Sequence, residues 1–247
     1  MPRNARLYLV FTATFLVMHF TGILVSGMPY IINGLITSAI VISTLILLLA
    51  WGSHGSLKSI ISSIGFGKAN LKGILPGMVI AVVLLISYLA LGHMLAIEAY
   101  LAEDWYLNLA GLFLTGGLTE EMLFRGYLFE RLRMDMSFRK ASLISAVVFS
   151  AVHLVLFAYM DWPVALLSTI LAVTSAVPLA FLYEYGNRTI WSPALVHATI
   201  RTIGLVVTTD EGHFMQFSLL WIIAAMIVPY TVLIFYKAFR ALWKIGS

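Results

Sequence analysis

The chain has 247 residues, of which 61% are hydrophobic and 11% are charged, and its mean hydropathy is +0.98. This composition excludes an ordinary soluble protein and indicates a polytopic membrane protein. The chain contains no cysteine, so disulfides, a thiolate nucleophile and Cys-ligated metals are excluded as well. Its net charge of +4 is interpreted below as a determinant of topology, and no nucleic-acid partner is expected.

Apolar runs of about 20 residues, the length that crosses a bilayer core, recur along the whole chain. The predicted spans are residues 7–26, 31–51, 73–95, 106–130, 141–160, 163–183, 190–208 and 214–236. The first run is long enough to span and is not followed by a signal-peptide cleavage site, so we interpret it as a transmembrane helix. We therefore predict an all-α protein with about eight transmembrane helices, forming a single integral membrane domain over residues 1–247.

The distribution of charge predicts the orientation of these helices, because cytoplasmic connections are enriched in Lys and Arg. With the N-terminus inside, 13 of the 15 basic residues fall in cytoplasmic segments, and the other connections carry only acidic charges. The two remaining basic residues, Arg125 and Arg201, lie within predicted helices. Both termini are therefore predicted to be cytoplasmic, and the compact size suggests a prokaryotic plasma membrane.

The longest predicted cytoplasmic connection, residues 52–72, is rich in Gly, Ser and Lys. Within it Leu57, Ile60, Ile61 and Ile64 recur at helical spacing. We expect a short helix lying on the inner membrane surface, with a solvated loop as the alternative.

Four polar residues are predicted to lie at one depth near the middle of the membrane. Counted at 1.5 Å per residue from the basic end of each helix, Glu120 and His197 lie roughly 16 and 14 Å deep, and His153 and Arg201 each roughly 20 Å. Ionisable groups in this layer are costly and normally mark a functional site. Polar groups from three helices at one depth therefore indicate a shared buried site.

The charged residues around Glu120 are expected to have two different roles. Glu121 and Arg125 are four residues apart on one helix face, in the order that favours an ion pair. Glu120 is rotated by about 100° from Glu121 and need not share that partner. Glu120 is therefore the candidate general base beside His153, and Glu121 with Arg125 either supports it or only orders the helix bundle.

Phe149 precedes His153 by four residues and is expected to pack beside its ring. Gly116, Gly117 and Gly126 flank the charged run and would allow close helix approach. These contacts would enclose the candidate site.

In order and spacing, the motifs Glu120-Glu121-x-x-x-Arg125, Phe149-x-x-x-His153 and His197 resemble those of the CPBP family of intramembrane glutamic proteases. This family is also called the Abi or CAAX-protease family and includes the type II CAAX prenyl endopeptidase. The resemblance covers roughly residues 60–205. It implies hydrolysis of a peptide bond near the C-terminus of a membrane-associated protein or peptide, with or without a lipid group, and no cofactor.

The resemblance also implies roles for individual residues. Glu120 and His153 would activate a water, His197 would help to bind the oxyanion, and Glu121, Arg125 and Phe149 would support them. The family has Asn at the position of Arg201. Arg201 could instead stabilise the oxyanion, bind a substrate carboxylate, or pair with Glu120 and leave a non-catalytic binding, immunity or scaffold protein.

Two other functions stay open at this stage. Two His and a Glu could ligate zinc, but the chain has no H-E-x-x-H motif, and we predict no metal. A small transporter or proton relay would also use buried Glu, His and Arg, although the resemblance argues against it.

Overall fold

A computed structural model describes residues 3–51, 55–97, 99–209 and 214–244. Outside the region of residues 105–133, its helices are α1 (Arg3–Leu24), α2 (Tyr30–Ala50), α3 (Leu57–Ser63), α4 (Leu71–Met94), α7 (Phe138–His153), α8 (Trp162–Tyr185), α9 (Trp191–Val206), α10 (Phe214–Leu233) and α11 (Lys237–Lys244). A short 3₁₀ helix, Leu154–Ala158, continues α7. The predicted all-helical membrane class is confirmed.

Residues 105–133 form one continuous helix, here called the central helix. It begins as α5 (Trp105–Leu112), becomes π-helical over Phe113–Glu120 and Met122–Phe129, and ends as α6 (Glu130–Arg133). Over Met122–Phe129 every side chain is buried. A helix buried on all sides lies inside a bundle rather than at its surface, so the other helices surround this segment.

In the described part of the chain, six helical segments are long and apolar enough to cross a membrane. They are Ala5–Leu24, Tyr30–Ala50, Leu71–Met94, Phe138–Ala158, Trp162–Tyr185 and Gln216–Leu233. The central helix and α9 correspond to the other two predicted spans but are not among these six. The count of eight spans and the cytoplasmic position of both termini stay predictions.

The predicted span 190–208 is too long at its C-terminal end. Helix α9 ends at Val206, and Val207–Thr209 form a strand, β2, that pairs antiparallel with β1 (Ala99–Leu101). The β-branched residues at 207–209 favour this extended backbone over helix. The ribbon joins the chain after α4 to the chain after α9.

The short helix expected in the first basic connection is present as α3. Ser56 caps it by accepting a hydrogen bond from the Ser59 backbone N–H at 3.3 Å. Ile60 and Ile64 are buried in the core, and Leu57 is exposed. Its position on the inner membrane surface stays a prediction.

Glycines bring the helices close to one another around the site. A Cβ added at Gly111 would clash with the Tyr30 carbonyl oxygen, and one added at Gly126 would clash with the Ile64 carbonyl oxygen. Backbones in such direct contact require residues without side chains. The close approach expected at Gly126 is thereby confirmed, and it fixes the central helix against the chain after α3.

Candidate active site

The first π-helical segment of the central helix carries Glu120 at its C-terminal end. The wider helical turn is held by Thr119, whose hydroxyl donates to the Leu114 carbonyl oxygen at 2.7 Å. From α2, the Ser38 hydroxyl lies 2.9 Å from both the Leu114 carbonyl oxygen and the Thr119 hydroxyl. Departures from α geometry of this kind are frequent at functional sites.

The glycines before Glu120 let α9 lie directly against this segment. A Cβ on Gly116 would lie 2.7 Å from Arg201 Cδ, and one on Gly117 would lie 2.9 Å from the Ala194 carbonyl oxygen. The close approach expected at both positions is confirmed. It brings His197 and Arg201 of α9 over the two adjacent glutamates.

Glu121 lies at the base of the site and has two partners. Its Oε1 accepts from Arg125 Nη1 at 2.7 Å, and both side chains are 0% exposed. The same oxygen lies 2.6 Å from His197 Nδ1. The expected ion pair with Arg125 is therefore present, and Glu121 also orients the histidine.

The partner of His197 fixes the role of its other ring nitrogen. Because a carboxylate only accepts hydrogen bonds, we assign the proton of this contact to Nδ1. Nε2 then faces Glu120, at 3.8 Å from its Oε2. In a neutral ring Nε2 presents a lone pair there, and in a protonated ring it presents a second N–H.

Glu120 is not left without a charged partner. Its Oε1 accepts from Arg201 Nη1 at 2.5 Å. The Glu120 side chain is 16% exposed and that of Arg201 is 43% exposed. Of the alternatives open for Arg201, direct pairing with Glu120 is the one that this geometry contains.

His153 approaches the site from α7 and is oriented by its own helix. Its Nδ1 lies 2.7 Å from the Phe149 carbonyl oxygen, so this nitrogen donates and Nε2 is available as an acceptor. The rings of Phe149 and His153 meet edge to face with centroids 4.7 Å apart, which confirms the expected packing. The part of the chain that the structure describes contains no direct hydrogen bond between His153 and Glu120.

Phe149 also contacts both Arg125, which is fully buried, and His197, which lines the cavity. The Arg125 guanidinium carbon lies 4.6 Å from the centre of its ring, and the His197 ring centroid is 6.0 Å away. Contacts of this kind attract a desolvated cation to the ring face. Phe149 thereby separates the buried Glu121 and Arg125 pair from the cavity above it.

One cavity of about 880 Å³ contains the remaining polar groups. Its lining includes Glu120, Phe149, His153, His197 and Arg201. Glu121 and Arg125 are not part of the lining and lie beneath it. The structure thus brings together all seven residues selected from the sequence, in two layers.

Sequence reasoning missed the support given by Ser38 and Thr119, because hydroxyl groups in an apolar helix carry no motif. From the sequence, His19 lies near mid-membrane in the first helix and is expected to make an interhelical hydrogen bond rather than to act in catalysis. In the structure it lines the same cavity and stacks on Phe15, with ring centroids 6.1 Å apart. Within the described residues no group of three or more His, Asp and Glu side chains is arranged to hold a metal ion.

The fold and the site together define a helical membrane protein with adjacent glutamates, two histidines and an arginine around one internal cavity. Residues 102–203 match the family described as type II CAAX prenyl endopeptidase Rce1-like. This segment contains every one of the seven site residues, and the matched family is the CAAX-protease family that the motifs resemble. A comparison of the chain with curated proteins found no match.

Proposed function

We propose that this protein is an intramembrane endopeptidase of the CAAX type, with Glu120 as the general base. The substrate would be a membrane-associated protein or peptide cleaved near its C-terminus, with or without a lipid group. The observation that carries the proposal is the convergence of Glu120, His153 and His197 on one cavity within the family-matched segment. A general base, an orienting histidine and an oxyanion donor are the groups that water-dependent peptide hydrolysis needs.

In this mechanism a water molecule lies between Glu120 and His153. Glu120 takes a proton from the water as its oxygen bonds to the scissile carbonyl carbon, and the carbonyl oxygen becomes an oxyanion. When the C–N bond breaks, the proton passes from Glu120 to the leaving nitrogen. The products are a carboxylic acid and an amine, and Glu120 is restored as a carboxylate.

His197 is the proposed donor to the oxyanion. Its Nδ1 is bound to Glu121 at 2.6 Å, so a proton on Nε2 would create an imidazolium beside a buried carboxylate. Such a pair stabilises the charged ring and directs its second N–H to the cavity. Glu121 and Arg125 then act as positioning residues for His197.

The apolar part of the cavity suits an apolar peptide segment. Phe15, Met18, Leu156 and Leu171 line it around the polar groups. Pockets of this kind bind chiefly through apolar surface, while a few polar groups fix orientation. The expected substrate thus presents apolar residues on both sides of the scissile bond.

The decisive experiment replaces Glu120 by Gln in the purified full chain and measures cleavage of a panel of tagged membrane peptides. Loss of a general base is expected to reduce turnover by roughly 10²-fold to 10⁴-fold. Glu103→Gln, the same substitution at an exposed position in the turn before α5, is the matched control and should cleave normally. Unchanged turnover of the Glu120→Gln protein would refute the proposed base. Loss of wild-type activity on chelation would instead favour the metal-dependent alternative.

A second candidate function is non-catalytic binding of a peptide, and the contact between Arg201 and Glu120 favours it. A base whose oxygen already accepts a 2.5 Å hydrogen bond from a cation is poorly prepared to receive a proton. Arg201→Asn distinguishes the two functions. A gain of cleavage in this variant, with wild type only binding, would support the binding function, whereas a fall would support Arg201 as an oxyanion or carboxylate donor.

A further inference from the structure

A second cavity, of about 360 Å³, lies at the end of the bundle where α1 begins and where α2 and the central helix end. Its lining comes chiefly from those helices and from α3, and includes Arg6, Leu49, Ser59, Tyr127 and Arg131. It shares no lining residue with the cavity around Glu120. Small-ligand pockets usually measure roughly 300–1,000 Å³, so this second cavity is large enough to hold a ligand.

The walls of this second cavity, here called the basic pocket, are joined by contacts between helices. Tyr127 is 3% exposed, and its hydroxyl donates to the Leu7 carbonyl oxygen at 3.4 Å, which joins the central helix to α1. Arg6 Nη2 donates to the Leu49 carbonyl oxygen at 3.5 Å, which joins α1 to α2. Ile60 of α3 is buried in the core on the third side. The pocket is therefore formed before a ligand binds, which lowers the entropic cost of binding.

The contacts of Arg131 indicate that the basic pocket binds a ligand. The Arg131 guanidinium carbon lies 5.5 Å from the centre of the Tyr127 ring, so the cation lies against the aromatic wall. Arg131 Nε is buried and has no hydrogen-bond partner within the part of the chain that the structure describes. A buried donor without an acceptor is costly, and native proteins normally supply an acceptor. Because Arg131 lines the pocket, a ligand with oxygen acceptors would supply it there.

The charges of the lining favour an anion. Arg6 and Arg131 contribute two positive charges and Asp135 contributes one negative charge, so the lining has a net charge of +1. Ser59 adds a hydroxyl group on the exposed side of the pocket. Guanidinium groups bind phosphate through parallel N–H donors, and a hydroxyl group donates to the same oxygens. This set of donors matches a phosphate group.

The position of the basic pocket along the bundle suits the headgroup of a lipid. Arg6 is the fourth residue of α1, Leu49 is the last but one of α2, and Arg131 lies two residues before the end of α6. The ends of membrane-spanning helices lie at the level of the headgroups, and basic pockets between such helices bind anionic headgroups. Leu7, Leu49 and Ile60 also line the pocket, so a lipid would find apolar wall next to the charged groups.

We propose that the basic pocket binds a phosphate group, carried either by the headgroup of an anionic phospholipid or by free inorganic phosphate. The phosphate oxygens would accept from Arg131 and Ser59, and Arg6 would add its charge. The bound group would join α1 and α3 to the central helix. This inference does not depend on the proposed protease function, because no residue of the basic pocket takes part in that mechanism.

Two variants with matched controls test the basic pocket. Arg131→Gln removes the cation, and its control is Arg139→Gln, which removes an arginine that also lies against an aromatic ring, 5.6 Å from the centre of Trp243, but does not line the pocket. Ser59→Asp places a negative charge on the exposed wall. Its control is Ser62→Asp, at an exposed position of the same helix outside the pocket.

The purified full chain in a nonionic detergent is titrated with short-chain phosphatidylglycerol, with the diacylglycerol of the same chain length, and with inorganic phosphate at constant ionic strength. Binding is measured from the rise in melting temperature with ligand concentration. Phosphatidylglycerol is expected to bind saturably and diacylglycerol is not. Arg131→Gln and Ser59→Asp should each weaken this binding by at least about tenfold, and the two controls by less than about twofold, because only the first two change the charges that face the phosphate.

A saturable response to inorganic phosphate as well would identify the free anion as a ligand, whereas a response to phosphatidylglycerol alone would identify the lipid headgroup. Equal responses to phosphatidylglycerol and diacylglycerol, or no saturable response to either phosphate compound, would overturn the proposal. So would equal effects of the pocket variants and their controls. If Arg131→Gln does not fold, the comparison of Ser59→Asp with Ser62→Asp decides. Glu120→Gln should bind phosphate as wild type does, so a failure of the proposed protease function is distinguishable from a failure of this inference.

Discussion

Replacing Arg125 by Met should destabilise the protein strongly, because it leaves the Glu121 carboxylate buried without its cation. Both side chains are 0% exposed, and they share one hydrogen bond of 2.7 Å. Breaking a buried pair by removing one partner costs about 3–5 kcal/mol. In a protein of this size that corresponds to a fall in melting temperature of roughly 6–20 °C.

Arg188→Met is the matched control, since Arg188 also makes one ion pair, with Glu130 at 2.9 Å, but its side chain is 54% exposed. Because the Arg188 end of this pair is half-exposed while Glu130 is 10% exposed, we expect a smaller fall in melting temperature than for Arg125→Met. The measurement is thermal unfolding of the purified variants in one detergent. Equal shifts for the two variants would refute the assignment of a buried charge pair.

A double variant tests the cause of the loss. Glu121→Gln combined with Arg125→Met removes both charges, while the Gln side-chain oxygen can still accept from His197 Nδ1. Within the described residues, Glu121 Oε2 and the Nε and Nη2 atoms of Arg125 have no hydrogen-bond partner, so the double change sacrifices few polar contacts. We expect the double variant to be more stable than Arg125→Met alone, and a further loss of stability would contradict the charge argument.

Gly126→Ala should lower the melting temperature by several degrees, because overpacking against the Ile64 backbone costs about 1–3 kcal/mol. Gly22→Ala is the control: nothing lies within 4 Å of its added Cβ, so the melting temperature should stay unchanged or rise. Equal behaviour of the two variants would contradict the close approach. Ser38→Ala should cost about 1 kcal/mol through lost hydrogen bonding, and it should lower kcat of any cleavage activity by displacing the π-helical turn that carries Glu120. Lost stability with unchanged kcat would limit Ser38 to a structural role.

The sequence was sufficient for the features that depend on length and periodicity. Apolar runs located the helices, and the spacing of Glu121 and Arg125 predicted their ion pair, because both follow from helix geometry alone. The depth argument also selected residues that the fold brings together around one cavity. Glu120, His153 and His197 line one cavity, as expected for groups at one level of a bundle.

The pairing within that set was less predictable. The sequence interpretation placed Glu120 beside His153 and gave His197 no specific partner, whereas His197 Nδ1 binds Glu121 at 2.6 Å and its Nε2 is 3.8 Å from Glu120. Adjacent residues on a helix point in different directions, so the choice between them depends on the rotation of α9 against the central helix. That rotation is set by contacts of Gly116 and Gly117 and by the π-helical turn, none of which has a reliable signature in the sequence.

Arg201 has a role in the charge balance of the site that its position in the motif does not show. Glu120 and Glu121 bring two negative charges into an apolar layer, and Arg125 balances only one of them. Arg201 supplies the second positive charge, so the layer is neutral with both histidines uncharged. With Asn at this position, the same balance would require a protonated histidine or a protonated Glu120. Arg201 is therefore the cation that balances Glu120, and a substrate carboxylate that draws Arg201 away would remove that balance.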